Sequence, residues 1–329
     1  MSALPVWRRV RDALVLLWLV VSLTFLLVRL APGDPATMLV PPSASAAETA
    51  RLRHEFGLDA PLAVQYARWL GDVLTGNLGA SFSTGEPVTR VLARAAPISL
   101  GLGAASLALT FLIGVPIGML QAARRGRAAD RALTALTTAV FAMPSFWIAL
   151  ALVAAFTYGA AMVGFPAWLR LPAFGIHTPG ADLHGWDELR DVAWHAILPV
   201  GILAAIGAAG LARYTRSSVA DVLGQDFVRT ARAKGASAGR VFGRHVLATV
   251  LPALVVLLAL SLPGLVAGSV FVEAVFAWPG MGRAMLLAIS ARDYPVVMAS
   301  ALAYAAAVIA ANLAADLVLP LLDPRRRGA

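Results

Sequence analysis

The sequence predicts an all-α integral membrane protein of about six transmembrane helices, and three observations carry that expectation. Hydrophobic residues make up 59% of the 329 and charged residues only 14%; a soluble chain holds roughly 45–50% apolar and about 25% charged residues. A soluble domain so composed would expose more apolar surface than water tolerates, whereas lipid tails accept it. The apolar residues fall into segments near the ~20 residues needed to cross a hydrocarbon core. The basic residues gather in short clusters between those segments, as they do on the inner side of membrane proteins.

The first span is Ala13–Val28, uncharged, and it reaches Leu30 if Arg29 snorkels. Its apolar core is long for a cleaved signal and no small-x-small site follows, so a retained helix is expected. Residues 31–94 form an extracytoplasmic loop. Within it Ser43–Ala47 reads as linker, Glu48–Phe56 as a short helix ended by Gly57, and Pro61–Leu74 as another. Tyr66 and Trp69 suit a membrane interface, and the loop reads as a cap over the bundle. Ala95–Ala123 and Ala132–Leu169 carry no charge; the second is long enough for a span plus an exit near Gly164-Phe165-Pro166. An irregular outer loop, Gly159–Asp191, precedes Val192–Ala212, which holds His195 near its start. Val246–Val272 and Tyr294–Ala315 complete the set.

With the N-terminus inside, the inner segments hold 17 of the 27 basic residues, including Arg124, Arg125, Arg127 and Arg131, and Arg325, Arg326 and Arg327. Outer segments hold most carboxylates, among them Glu48, Asp59, Glu86, Asp187 and Asp191. Both termini are therefore expected in the cytoplasm. Pro116, Pro144, Pro199, Pro252 and Pro263 lie in spans and predict kinks. Gly201, Gly207 and Gly210 predict close helix packing.

Several chemistries are excluded. Cysteine is absent, which removes disulfides, thiolate metal sites and thiol nucleophiles. The single lysine, Lys234, lacks the glycine spacing of a phosphate loop, so no ATP cradle is expected in this chain. The five histidines show no metal spacing, and no GxSxG elbow occurs. No catalytic, cofactor or metal residue is expected. The net charge of +9 is spread in inter-span clusters rather than a nucleic-acid patch.

The inner segment 213–245 is the most informative. Val219, Val222, Leu223, Phe227 and Ala231 fall at helical spacing. Gly235 is placed to stop that helix and Ser237 to cap a second one through Phe242. Two short helices at an angle offer another protein a grip; the same composition also suits a basic loop held by anionic lipid. Asp316 near the inner boundary is expected to pair with inner arginines. Glu273, closing the fifth span, either faces a vestibule and meets a solute ammonium, pairs with Arg283, or reaches water.

Asp226-Phe227-Val228-Arg229-Thr230-Ala231-Arg232-Ala233-Lys234-Gly235 resembles the "EAA" coupling loop of ABC importer permeases, in particular the dipeptide/oligopeptide/nickel family. Four further stretches resemble that family in order: Ala31-Pro32-Gly33-Asp34-Pro35, Met143-Pro144-Ser145-Phe146-Trp147, Phe276-Ala277-Trp278-Pro279-Gly280-Met281-Gly282 with Arg292-Asp293-Tyr294-Pro295, and the tail Asp323-Pro324-Arg325. The long first outer loop resembles the B-type subunit. The motif's usual glutamate is absent, with Arg229 near its position.

The resemblance implies a type I ABC importer permease-like bundle in a bacterial cytoplasmic membrane, with residues 95–329 as the permease core. It implies half of a translocation pore for peptides or similar small solutes. Phe227, Arg229, Thr230, Ala231, Arg232, Lys234, Gly235 and Ser237 would couple to ATPase subunits. The implied partners are a C-type permease, two ATP-binding cassette ATPases and an extracytoplasmic solute-binding protein. A self-contained carrier or channel is the rival reading, but no internal repeat and no filter or charge ring is visible.

Overall fold

The computed structural model describes residues 6–30, 45–267 and 270–322. The stretches 31–35 and 323–325 and the side chain of Asp316 lie outside the described residues. Among the described residues, six helices are long and apolar enough to cross a membrane: Trp7–Leu30, Val88–Ala123, Ser145–Met162, Trp186–Leu223, Ala238–Leu262 and Tyr294–Ala315. No β-strand is present among the described residues; Ala80 and Pro87 form an isolated bridge. In a hydrocarbon core helices satisfy every backbone group internally, which is why such a sequence folds this way.

Helix α1 (Val6–Leu30) packs along the last span through Phe25, which meets Tyr294 and Met298. The cap follows with α2 (Ala46–Glu55) and α3 (Leu62–Leu74). Ser45, expected in a linker, is instead the N-cap of α2. Its hydroxyl accepts from the Glu48 N–H (3.2 Å), and the Glu48 carboxylate accepts from the Ser45 N–H (2.9 Å), a complete capping box. These bonds hold the exposed Glu48 carboxyl below its usual range. Gly57 ends the helix in the left-handed region (φ 61°) as expected. Tyr66 and Trp69 of α3 turn onto Phe25, each with its ring centroid 5.3 Å away, and the Tyr66 hydroxyl meets Ser22 at 2.6 Å. They fasten the cap to the bundle.

Helix α4 (Val88–Ala123) keeps Pro97 and Pro116 inside a continuous element. The uncharged run 132–169, expected to hold a span and its exit, forms two helices, α5 (Ala128–Ala142) and α6 (Ser145–Val153), the latter prolonged through a π turn to Met162. Pro144 makes the break: it lacks an N–H and forces Met143 into extended backbone (φ −79°, ψ 138°). Of the five span prolines Pro144 alone ends an element.

Helix α7 (Trp186–Leu223) has 38 residues, so it is about 57 Å long at ~1.5 Å per residue and projects well beyond a ~30 Å core. It crosses α4 at close range. A Cβ on Gly114 would lie 3.0 Å from Ala208 Cα, one on Gly118 2.5 Å from the Ala212 carbonyl, and one on Gly207 2.6 Å from Thr110 Oγ1. Small residues here let two backbones meet, where dispersion and packing rather than the hydrophobic effect bind helices. Gly210 faces Phe141 at 3.3 Å, whereas Gly201 faces open space and is no packing glycine.

Beyond α7 come α8 (Asp226–Ala233) and α9, which starts at Ala238–Arg240, passes a π turn (Val241–Val246) and runs on as Leu247–Ala267. The outer side then carries α10 (Val270–Val275) and a short apolar helix α11 (Met281–Ser290), before the last span α12 (Tyr294–Leu322). Asp293, fully buried, ties α12 to the cap. Its carboxylate accepts from the Phe82 N–H (3.0 Å), the Ser83 hydroxyl (2.8 Å) and the Ser81 hydroxyl.

Candidate functional site

Helix α8 is set off by a break on each side. Gly224 and the extended Gln225 (φ −78°, ψ 151°) separate it from α7. At its end Gly235 is left-handed (φ 79°), the Ala236 N–H donates to the Ala231 carbonyl (3.1 Å), and the Gly235 N–H donates to the Arg232 carbonyl (2.9 Å). That pair of bonds is a Schellman closure, which requires φ > 0 at its centre. Ser237 then caps the next helix, its hydroxyl accepting from the Arg240 N–H at 3.4 Å.

Two expectations change here. The second helix is not a separate short one, because after Ser237 the chain continues through the π turn into the fifth span. The anticipated apolar face also divides. Val219, Val222 and Leu223 belong to α7, and the break at Gly224 resets the helical phase. Val228, 0% exposed, therefore points into the cluster of Val219, Val222, Val241, Val246 and Val250, while Phe227 stays 40% exposed. Ala231 packs against the cluster from its edge.

Phe227, Arg229, Thr230, Arg232 and Lys234 are thereby left at the surface, and Gly235 and Ser237 with them. Asp226 in the first turn and Arg232 in the last align with the helix dipole. Arg229 reaches Asp226 at 3.5 Å in a solvated pair. The result is a rigidly seated, outward-facing helix with an exposed aromatic ring and three cations.

Above it, α4, α7 and α9 line a cavity of about 380 Å³, with residues from Ser99 of α4 to Ser261 of α9 on its wall. The hydroxyls of Ser99, Ser106, Thr110, Tyr214 and Ser261 interrupt an otherwise apolar wall, and no lining residue is charged. A polar solute can hydrogen-bond along such a wall without being held by an ion pair.

Between the cavity and α8 sits an ionic brace. Asp130, at the start of α5, is buried and accepts from Arg216 Nε (2.8 Å) and Nη2 (2.9 Å) of α7 and from the Gly126 N–H (2.9 Å). The guanidinium first, then the N–H, hold its carboxyl well below the usual range. No motif singled out this pair; a lone acid within the basic cluster 124–131 was its one signal in the sequence.

Glu273 lies at the outer end of the cavity wall rather than open to a vestibule. It is 0% exposed. Ser99 donates its hydroxyl to Oε1 (2.8 Å), and the N–H groups of Gly282 (2.8 Å) and Arg283 (3.2 Å) donate to Oε2. Arg283 thus offers its backbone, and its guanidinium goes to the Ala277 carbonyl at 2.9 Å. A Cβ at Gly280 or Gly282 would run into this carboxylate, so the glycines of Pro279-Gly280-Met281-Gly282 have a local physical reason. Among the described residues no three His, Cys, Asp or Glu side chains gather as a metal ion would require.

Residues 114–328 match the family described as binding-protein-dependent transport system inner membrane component, and residues 4–103 match its N-terminal membrane-component family. The oligopeptide transport system permease protein AppB of Bacillus subtilis is 35% identical over 319 residues, 97% of each chain. The oligopeptide transport system permease protein OppB of Mycobacterium tuberculosis is 38% identical over 323 residues, 97% of this chain and 98% of that one. Among solved structures, the MetNI methionine ABC transporter in inward-facing conformations aligns with a TM-score of 0.51 at 18% identity, over 71% of this chain and 97% of that one, a likeness of fold. With the family models and relatives matching across nearly its whole length, this chain belongs to the binding-protein-dependent transport system inner membrane components, the permease subunits of ABC importers.

Proposed function

We propose that this permease forms half of the pore of an ATP-driven importer for peptides or similar small solutes. The observation that carries the reading is the uncharged, hydroxyl-dotted cavity between α4, α7 and α9. Such a wall suits a solute whose backbone amides need hydrogen bonds and whose side chains vary in charge. The oligopeptide permeases at 35–38% identity support the same class of solute.

The solute-facing wall comes from one chain and is open on one side, which fits a pore completed by a second homologous permease of the C type. Energy comes from two ATP-binding cassette subunits that grip α8, and an extracytoplasmic binding protein delivers the solute. ATP-driven motion of α8 shifts a two-state bundle between inward and outward access. The chain lies in the bacterial inner membrane with both termini cytoplasmic, on the strength of the arginine asymmetry.

The test is uptake of a labelled oligopeptide by proteoliposomes holding both permeases and both ATPases, with binding protein on the outside. Accumulation should require ATP and every component. Uptake by the permeases without ATPases, or ATP hydrolysis by this chain alone, sinks the reading. Reporters fused after Arg127 and after Lys234 should read cytoplasmic, and those near Asp59 and Gly180 outside.

A further inference from the structure

Glu273 is buried, and its partners among the described residues are one hydroxyl and two backbone N–H groups, with no cation. Burying an ion carries a desolvation penalty, which hydrogen bonds must offset. The N-terminal end of the α11 dipole adds to the offset. Water can replace each of these donors. A contact of this kind can be broken and remade as the helices around it move.

Its geography agrees. Ser99 lines the cavity and lies nearer the start of α4 than any other lining residue of that helix. The same hydroxyl oxygen that donates to Glu273 accepts the Met281 N–H at 2.8 Å. One side chain therefore joins α4 to both α10 and the first turn of α11. Helix α11 has ten residues and is too short to cross the membrane. It is held against α4 at the outer end of the cavity by this junction.

A second seat stands nearby. Tyr304, on α12, has a buried hydroxyl with no hydrogen-bond partner among the described residues, and its ring packs against the cluster that holds Ala95 of α4 and Met281 of α11, beside the Ser99 junction. Ser300, one turn earlier on that helix, likewise has a buried hydroxyl without a partner among the described residues. Buried polar groups are rarely left unpaired without a reason.

We propose that Glu273 is the positioning residue of an outer gate: bonded to Ser99 and the start of α11 it holds the outer end of the cavity shut, and on opening it passes to the Tyr304 hydroxyl. This rests on the reading of the cavity as part of the pore.

The natural absence of cysteine makes the test clean within this subunit. Ser106 lines the cavity two helical turns inward of Ser99. In the assembled importer, Ser106→Cys is exposed to a membrane-impermeant maleimide from the outside, with and without ATP, while ATP hydrolysis is followed in parallel. With the gate intact, labelling should be slow without ATP and fast during turnover. Glu273→Gln and Ser99→Ala should each raise labelling without ATP by roughly tenfold, the effect of losing one hydrogen bond to a charged group on a two-state balance. Tyr304→Phe should act oppositely and blunt the acceleration by ATP. If Glu273→Gln does not accumulate, Ser99→Ala, which removes one oxygen atom, carries the same comparison. ATP-dependent labelling that is unchanged in Ser99→Ala and Tyr304→Phe overturns the gate and leaves the pore standing. A cysteine at 106 that never labels in any state overturns both.

Discussion

Arg216 of α7 and Asp130 of α5 meet through two parallel hydrogen bonds, Nε to Oδ1 at 2.8 Å and Nη2 to Oδ2 at 2.9 Å. A forked guanidinium and a carboxylate fit each other in plane, which fixes orientation as well as distance. Arg216 lies on the inner extension of α7, seven residues before that helix ends and the chain turns into α8. The pair therefore braces the stalk that carries α8 against the loop joining α4 to α5.

Asp130→Asn should loosen that brace. The arginine side chain is a third exposed, so water recovers part of the loss. A decrease of about 1.5–3 kcal/mol is expected, the usual worth of hydrogen bonds to a charged group. The carboxyl sits below its ordinary range in the folded chain. Its contribution is therefore complete above the unfolded carboxylate pKa of about 4 and fades as pH falls through the lower, folded value. Thermal unfolding in detergent should show a constant gap between wild type and variant from pH 5 to 8, narrowing only in strong acid. A gap that widens on acidification would contradict the pairing.

Gly235→Val should abolish uptake while the protein still accumulates. A Cβ at this position meets nothing within 4 Å, so the effect is conformational, not steric crowding. With φ at 79°, a β-branched residue is strained by about 1–2 kcal/mol or more, enough to re-aim Ser237 and the start of α9. Asparagine tolerates the left-handed region, so Gly235→Asn should retain most uptake. Equal loss in both variants would mean that the backbone turn is not what matters.

Phe227 and Val228 are neighbours with opposite assignments. Val228→Ala removes two methyl groups from a sealed cluster and should lower stability by about 1–3 kcal/mol. Phe227→Ala takes an exposed ring from α8 and should leave the unfolding midpoint within about 0.5 kcal/mol of wild type. Uptake per ATP hydrolysed should nevertheless fall in Phe227→Ala, because the ring is available to a partner. Unchanged uptake by a fully assembled Phe227→Ala complex would remove the ring from the coupling surface.

That pair also marks where sequence reasoning ends. Apolar windows of spanning length locate the spans well, because the bilayer imposes a length that single residues cannot hide. Gly235 and Ser237 are legible for a similar reason: turn and cap chemistry is local. Phase is not local in the same way. Helical spacing continued from Leu223 puts Phe227 inward, and the break at Gly224-Gln225 turns Val228 inward instead. The Pro144 break hides in an uncharged run where composition does not change. The Ser45–Glu48 box obeys a pattern visible in sequence, though the surrounding Ser and Ala residues look like linker. Ser99 and Glu273 lie 174 residues apart, and nothing in either neighbourhood points to the other.

The α4–α7 crossing offers a last contrast between two glycines. Gly118→Ala would put a methyl group 2.5 Å from the Ala212 carbonyl and 2.6 Å from Thr215 Cβ. The first of these is backbone, which cannot step aside as a rotamer does, so the helices must part along the whole seam. Lost dispersion across that seam has no hydrophobic compensation in lipid. A fall of about 1–3 kcal/mol in stability is expected, the range for overpacking a close-packed contact. Gly201→Ala, on the same helix α7, meets open space and gains helix propensity of about 1 kcal/mol. Thermal unfolding in detergent should therefore move in opposite directions for the two. If Gly118→Ala is tolerated as well as Gly201→Ala, the two helices do not cross as closely as 2.5 Å implies, and the cavity wall they share would be wider than the one described above.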